Sequence, residues 1–479
     1  MTATRRATPT AGCAKRLAQH MLGSLLCPER LTVTNLICTG GGHQQDWSAH
    51  YRLYSQDRVD ESVLFDEVRT ALLKELPAQQ PLVVALDDTV VRKRGVHIDG
   101  VSWRRDPLGP PFQTNLVRSQ RYLQFSAAWP LAQGAARLVP IGFFHAPSAP
   151  KLAKEAREDT QALKLHRERQ KQMSLNAHAL THMQQLRSQC EASRSLLFCG
   201  DGNYTNAAVL RGLPEGSTYL GRTRKDTALH ERPVAKAPGA NGRRPSYGPP
   251  TLTPEQLRVD EATPWSQVPA FAAGQRHNFR VKTLGPVLWR KAGADLPMRI
   301  VVIAPLGYRL RQGSKLLYRQ PAYLMCSDVN LPLKDLLQYY LWRWGIEVNF
   351  REEKSLIGTG EAQVRGVASN QHLPAMTVAA YAMLWTAALR LHQSQETLQL
   401  LQPPRWRRKR AAALQGQSQQ PPLPSTGDLL RLLRYQTWAG ALRASTLSPF
   451  VTENRSMMTA QKPPPPTGLS LPGMLFAVA

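Results

Sequence analysis

The stretch PLVVALDDTVVRKRG, residues 81–95, contains the most strand-like segment of the chain. Leu82–Leu86 is a short continuous run of apolar and β-branched residues, which is typical of a strand buried on both faces. The run ends at Asp87, Asp88 and Thr89, so carboxylates stand at the tip of a central strand. Because neighbouring strand residues point to opposite faces, only one of the two aspartates can face a given site.

Apolar runs further along the chain predict more strands of the same sheet. Leu123–Trp129 and Leu138–Phe144 each end in a turn, and residues 151–194 form a polar stretch of good helix formers without proline. Leu196–Cys199 follows as another short strand and runs directly into Gly-Asp-Gly, so Asp201 also lies where a buried strand ends. The predicted order is three strands, a helical stretch and a fourth strand.

A second informative stretch is DLLQYYLWRWGIEVNFREEKSLIGTGEAQVRG, residues 335–366. At about 100° of turn per residue, steps of three, four and seven return to one face of a helix. Two neighbouring rows follow these steps: a polar row of Tyr340, Arg343, Glu347, Arg351 and Lys354, and an apolar row of Leu337, Leu341, Trp344 and Val348. We expect the apolar row to dock on a core and the polar row to face a cleft, where a carboxylate holds metal and cations bind phosphate oxygens.

The string Tyr340-x2-Arg343-x3-Glu347-x6-Lys354 resembles the tyrosine-arginine-glutamate-lysine signature of DDE insertion-sequence transposases. The resemblance covers roughly residues 80–395 and implies an α/β fold with a ribonuclease-H-like catalytic core. In that fold the first acidic residue lies on the first strand and the second just after the fourth. We therefore expect the core to comprise residues 79–213 and 331–395, with a β-rich basic insertion at 214–330.

The resemblance also implies the catalytic residues. It assigns the catalytic and metal-binding roles to Asp88, Asp201 and Glu347, with Asp88 preferred over Asp87 because the family places its aspartate directly before the threonine. Three carboxylates at one point repel one another unless cations neutralise them. Two Mg²⁺ or Mn²⁺ ions would do so and would also support displacement at phosphorus. Oxygen ligands suit these hard cations, and the absence of a Cys/His cluster argues against zinc.

Charge points to a polyanionic partner. Lys plus Arg number 61 and Asp plus Glu 34, so 61 − 34 gives a net charge of +27 with a pI near 10.3. Such an excess spread over nearly the whole chain favours a nucleic acid. The expected DNA-binding residues are Tyr340, Arg343, Lys354, Arg351, Arg104, Arg105, Arg222 and Arg224. By resemblance, the partners are transposon inverted repeats and target DNA, and the protein works as a homodimer in a synaptic complex.

Both ends of the chain differ from the core. The sequence of residues 1–78 predicts a separate helical region, which is a candidate for DNA binding. Residues 396–479 predict a basic linker, a short helix at Thr426–Arg443 and a partly disordered Pro-rich tail. The apolar run Leu373–Leu389 is shorter than the roughly 20 residues of a membrane span and predicts a buried core helix. Six scattered cysteines fit a reducing compartment, so we expect a cytoplasmic protein.

The sequence therefore favours a metal-dependent DNA transposase that binds transposon end repeats, cleaves strands and joins 3′-hydroxyl ends to target DNA. One alternative is a nuclease of the same fold without strand transfer. Another is an inactive DNA-binding regulator.

Overall fold

Five helices precede the sheet in the computed structural model, which describes residues 2–394, apart from 45, 96, 107–108, 111, 235–244 and 310–312, and residues 423–443. They are α1 (Thr2–Arg6), α2 (Ala11–Leu26), α3 (Val33–Thr39), α4 (Ser48–Ser55) and α5 (Glu61–Glu75). Side-chain oxygens of Thr10, Thr32 and Asp60 cap the first turns of α2, α3 and α5. The prediction of a helical N-terminal region is confirmed.

The central sheet has the ribonuclease-H-like strand order. Its elements are β1 (Leu82–Arg92), β2 (Ser102–Arg105), β3 (Leu116–Pro130), β4 (Ala136–His145), α6 (Thr160–Gln172), α7 (Leu175–Ser188), β5 (Leu196–Gly200), α8 (Ala207–Arg211) and β6 (Ser217–Arg222). β1 runs parallel to β5, and β5 parallel to β6, whereas β3 is antiparallel to both β1 and β4. The order β4-β3-β1-β5-β6 confirms the predicted fold class. The short strand β2 pairs with the outer part of β3.

The insertion is rich in β-structure and continues the same sheet. It contains β7 (Leu229–His230), β8 (Pro250–Thr251), α9 (Pro254–Val259), β9 (Ser266–Ala272), β10 (Gln275–Leu288), β11 (Pro297–Ile303), β12 (Gly307–Tyr308), β13 (Leu317–Tyr318) and β14 (Ala322–Cys326). β14 pairs antiparallel with β6, and β11 and β10 follow in order. Because β6 belongs to the core, the core strand runs to Arg222, within the range that the sequence assigned to the insertion.

Four further helices complete the described chain: α10 (Leu333–Trp342), α11 (Gly345–Glu352), α12 (Val367–Gln393) and α13 (Thr426–Arg443). A π-helical turn, Glu353–Ile357, follows α11. α12 is long and apolar enough to cross a membrane. However, 83% of its most apolar 18-residue segment is buried inside the protein, as predicted for a core helix. The N-terminal helices α2, α4 and α5 pack on it and share a core with the sheet, so the prediction of a separate N-terminal region is wrong. The predicted basic linker and Pro-rich tail, 396–422 and 444–479, lie outside the described residues.

Two apolar clusters lie on β1, one for each set of alternating residues. Val83 and Ala85 belong to the cluster that contains Leu336 of α10 and Ile346 and Phe350 of α11. Leu82, Val84 and Leu86 belong to the larger cluster that contains the N-terminal helices and α7. Since Asp87 continues the first set, its side chain points to the side of the sheet that α10 and α11 cover.

Candidate active site

Asp87 and Asp88 lie on opposite faces of β1. Asp88 stands beside Tyr204, whose hydroxyl donates to Asp88 Oδ1 over 3.4 Å. Burial raises the pKa of Asp88, and the guanidinium of Arg121 opposes that rise. Arg121 is itself held by a hydrogen bond from its Nε to the carbonyl of Ala146, 3.1 Å. Asp88 therefore faces arginine and tyrosine rather than the glutamate helix.

Asp87 faces the helix pair α10 and α11. Nη1 of Arg343 lies 3.4 Å from Asp87 Oδ2, and the two side chains are 11% and 13% exposed. Burial raises the pKa of Asp87 to about 7; repulsion by Asp201, Asp88 and Glu347 acts in the same direction, and Arg343 opposes it. The charge of Asp201 raises the pKa of both Asp87 and Asp88, and the charge of Glu347 raises the pKa of Asp87.

Asp201 follows β5 directly, at the carboxyl end of a strand parallel to β1. Its Oδ1 accepts a hydrogen bond from the Asn203 amide, 2.8 Å, and its carbonyl accepts one from Thr205 Oγ1, 3.2 Å. These bonds fix the turn GDGNY immediately after the strand. Because β1 and β5 run in parallel with Ala85 opposite Cys199, Asp201 lies level with Asp87. Asp87 is not at a strand tip as predicted, since β1 continues to Arg92.

Glu347 lies in the first turn of α11 and is exposed to solvent. Arg351 and Lys354, further along the same segment, are also exposed, whereas Ile346 and Phe350 on the opposite side are buried. Three of the five residues in the predicted polar row, Glu347, Arg351 and Lys354, are thus exposed. Trp344 differs from the prediction of an apolar docking row, because it is 66% exposed.

The helix breaks at Arg343 and Trp344, between the end of α10 and the start of α11. Both residues keep helical backbone angles, so the interruption is a single turn between two short helices. Gly345 allows the break to pack closely on β4: a Cβ there would lie 2.8 Å from Cγ of Leu138.

Arg343 is the cation at the centre of the acidic cluster. Burial alone would lower its pKa, but Tyr340, Asp87, Asp201 and Glu347 raise it above the ordinary value. The guanidinium carbon lies 5.8 Å from the ring centre of Tyr340. Arg343 therefore supplies positive charge to the same three carboxylates that a divalent cation would neutralise.

The remaining predicted DNA-binding arginines lie at different places. Arg104 is half-buried on the Asp88 side, where its two terminal nitrogens each donate to Ser148 Oγ over 3.2 Å, while Arg105 is exposed. Arg222 ends β6, is exposed, and acts on the pKa of Tyr340. Arg224 is 84% exposed and forms a two-point ion pair with Asp226, at 2.9 and 2.8 Å. Among these four arginines, Arg222 is therefore the one whose charge acts on Tyr340 of α10.

The donor set fits a hard divalent cation by its chemistry. Asp87, Asp201 and Glu347 offer carboxylate oxygens, which Mg²⁺ and Mn²⁺ prefer, and their mutual repulsion would be relieved by added positive charge. Within the described ranges, no three His, Cys, Asp or Glu side chains converge closely enough to hold one ion. Arg343 stands against Asp87 in this arrangement.

Comparison with known families adds independent information. A family model described as "DDE superfamily endonuclease" matches residues 7–294, more than half of the chain. The chain belongs to the DDE superfamily endonucleases. Members of this family are metal-dependent nucleases that act on DNA. The matched segment of this endonuclease includes Asp87, Asp88 and Asp201 but ends before Glu347. A comparison with curated proteins gave no match.

Sequence reasoning missed several residues around the two aspartates of β1. Arg121 and Tyr204 surround Asp88, and no spacing rule connects them to it. Asp87 was considered and set aside in favour of its neighbour. The alternation of side chains along β1 restricts the choice to one of the pair, but which face the glutamate helix covers is a tertiary property.

Proposed function

We propose that the protein is a DNA transposase that binds the end repeats of its element, cleaves there and transfers the 3′-hydroxyl ends to target DNA. Two observations support the proposal: Arg343 lies 3.4 Å from Asp87, and Asp201 follows the strand that runs parallel to β1 in a ribonuclease-H-like sheet. The charge of Glu347 acts on both Asp87 and Arg343. Asp87 takes the first catalytic position in place of Asp88, because it faces Arg343 and Glu347.

In this proposal the three carboxylates hold two Mg²⁺ or Mn²⁺ ions. Such ions supply activation of a water or 3′-hydroxyl nucleophile and stabilisation of the leaving oxygen. Asp87 is held within β1, Asp201 directly follows the parallel strand β5, and α11 carries Glu347. Arg343, Tyr340, Arg351 and Lys354 contact the phosphates that flank the scissile bond. Arg105, Arg104, Arg222 and Arg224 extend the basic surface along the DNA.

The active form is a homodimer that pairs two DNA ends, and it acts in the cytoplasm, in keeping with six free cysteines. A supercoiled plasmid that carries the gene with its flanking DNA tests the proposal. With Mg²⁺, the purified protein should cut at the element boundaries and produce joined products. Boundary cleavage without joined products would leave the nuclease of the same fold as the correct function, and DNA binding without cleavage would leave the inactive regulator.

A further inference from the structure

The helix that carries Glu347 is short and interrupted at both ends. α11 has eight residues, begins after the break at Arg343 and Trp344, and ends in a π-helical turn. A helix of this length is not stable by itself in water, so its position depends on tertiary contacts. Glu347 lies in its first turn and Glu352 is its last residue, about 7.5 Å further along the axis at 1.5 Å per residue. Whatever holds Glu352 therefore also holds Glu347.

Glu352 is the centre of a buried polar cluster. Its Oε2 accepts hydrogen bonds from Arg137 Nη2 at 2.6 Å, Tyr381 OH at 2.6 Å and Thr426 Oγ1 at 2.7 Å. The side chains of Arg137 and Glu352 are only 13% and 12% exposed. Burial raises the pKa of Glu352, but these three donors outweigh it and leave the pKa below its ordinary value. Charge-assisted bonds of this length in a buried setting are strong and directional.

The donors come from three other parts of the fold. Arg137 belongs to β4, Tyr381 to α12 and Thr426 to the first turn of α13. Thr426 is completely buried, and its hydroxyl also accepts a hydrogen bond from Trp385 Nε1, 3.1 Å. The hydroxyl therefore has one donor role and one acceptor role, and both are filled. The guanidinium carbon of Arg137 lies 3.9 Å from the ring centre of Trp385.

α13 is fixed at a second point. Arg434 donates to the carbonyls of Cys27 and Leu25, at 3.1 and 3.3 Å, where α2 ends. These carbonyls have no partner within their own helix, so the arginine satisfies them. α13 thus connects the N-terminal helices to the end of the glutamate helix.

We propose that Glu352 is a positioning residue for Glu347, and that α13, through Thr426, is part of the support of the active site. The inference rests on the proposed role of Glu347. Loss of the Thr426 hydroxyl leaves Glu352 with one donor fewer and frees the end of α11. Glu347 then moves relative to Asp87 and Asp201, which remain fixed by the sheet. Misplacement of a reacting group by about 1 Å can lower a rate about 100-fold.

The test compares two buried threonines. In Thr426→Val the hydroxyl bonded to Glu352 is removed. In the matched control Thr377→Val, the lost hydroxyl is equally buried but donates only to the Leu373 carbonyl of its own helix, 2.8 Å. We expect Thr426→Val to lower the single-turnover rate of plasmid nicking about tenfold. The protein concentration that gives half the maximal rate should not change, and Thr377→Val should nick like the unmodified protein.

Two further variants, Thr426→Ser and Glu352→Gln, and a control variant, Glu255→Gln, keep the test valid if Thr426→Val folds poorly. Thr426→Ser keeps the hydroxyl and should keep the rate. Glu352→Gln should lower the rate more than Thr426→Val, whereas Glu255→Gln should not lower it. Glu255 is a fitting control because it also bonds an arginine, Arg258 at 2.6 Å, and a tyrosine, but lies in the insertion.

Mn²⁺ binding gives a readout that does not depend on cleavage. Titration of the free protein, followed by the electron paramagnetic resonance signal of unbound Mn²⁺, should show weaker binding in Thr426→Val and Glu352→Gln than in their controls. Nicking by Thr426→Val and Glu352→Gln at the unmodified rate, or equal slowing in each control, would overturn the inference. If Glu347→Gln itself nicks normally, the proposed function fails instead.

Discussion

Replacement of Asp87 by asparagine separates the two aspartates of β1. Asn has nearly the same size, so Asp87→Asn removes the charge and leaves the packing. Asp88→Asn is the matched control one residue away. If Asp87 belongs with Asp201 and Glu347, its variant should lose more than about 10³-fold in cleavage rate, the scale seen when one member of a catalytic unit is removed. Asp88→Asn should stay within about tenfold of the unmodified protein, because its side chain contacts Tyr204 on the other face.

The same substitution should make the metal-free protein more stable. The pKa of Asp87 is about 7 in the folded protein against an ordinary value of 3.8. Because the folded state resists ionisation, stability is lost as the pH rises from 3.8 to about 7 and stays lost above it. At about 1.4 kcal/mol per pKa unit, Asp87→Asn should recover on the order of 4 kcal/mol at pH 8. For a chain of this size that raises Tm by roughly 4 °C.

The assay pairs plasmid nicking in Mg²⁺ with thermal unfolding in EDTA, the latter measured from pH 4 to pH 8. The gain in Tm of Asp87→Asn should be greatest at pH 8 and disappear towards pH 4, where the carboxyl of the unmodified protein is protonated. Loss of cleavage together with a gain in stability would show that the Asp87 carboxylate destabilises the fold and is needed for the reaction. The reasoning is refuted if Asp87→Asn cleaves normally and Asp88→Asn does not, or if Asp87→Asn is destabilised at pH 8.

Three more outcomes can be checked. Glu347→Gln should abolish cleavage, and so should addition of EDTA. The affinity for the plasmid in a gel-shift assay should change by no more than about twofold, because the glutamate is proposed to hold metal rather than DNA. Arg343→Gln should weaken DNA binding and reduce the slope of log affinity against log salt by about one unit, as expected for a lost phosphate contact; an unchanged slope would remove it from the DNA surface. His372 lies 2.5 Å from carboxylate oxygens of both Asp57 and Glu61, and these bonds raise its pKa despite burial. The stability it contributes is present below pH 6.5 and lost as the pH rises through its raised pKa, so chemical denaturation should show a decline that His372→Asn lacks.

The sheet was predictable because its signals are local. Leu82–Leu86 and Leu196–Cys199 are continuous apolar runs, and each lies in a buried strand. The strand end predicted at Asp87 and Asp88 is wrong, because β1 continues to Arg92, whereas Asp201 directly follows β5 as predicted. The β-rich character of the insertion followed from similar runs, such as the one at Ala322–Cys326. Strand existence depends on residues within a window of a few positions, and a single sequence contains that information.

Sequence reasoning was weaker where the outcome depends on distant packing. Trp344 was expected to dock because one continuous helix was assumed through Arg343, whereas α10 ends at Trp342 and α11 begins at Gly345. The choice between Asp87 and Asp88 required knowing which side α11 covers. The cluster around Glu352 was invisible for the same reason, since Arg137 is 215 positions away and Thr426 is 74 positions away.

The family match ends at residue 294, yet the sheet cannot be complete there. Val83 and Ala85 of β1 pack in a cluster with Leu336 and Ile346, which come from helices beyond that point. A chain ending at residue 294 would expose this apolar face to water and would lack β14, the strand that joins the insertion to β6. Burial of that face needs α10 and α11, and the same two helices bring Arg343 and Glu347 to Asp87. The helices that complete the core therefore also carry Glu347 and flank Arg343, which pairs with Asp87, so folding of this face and assembly of the proposed site depend on the same segment.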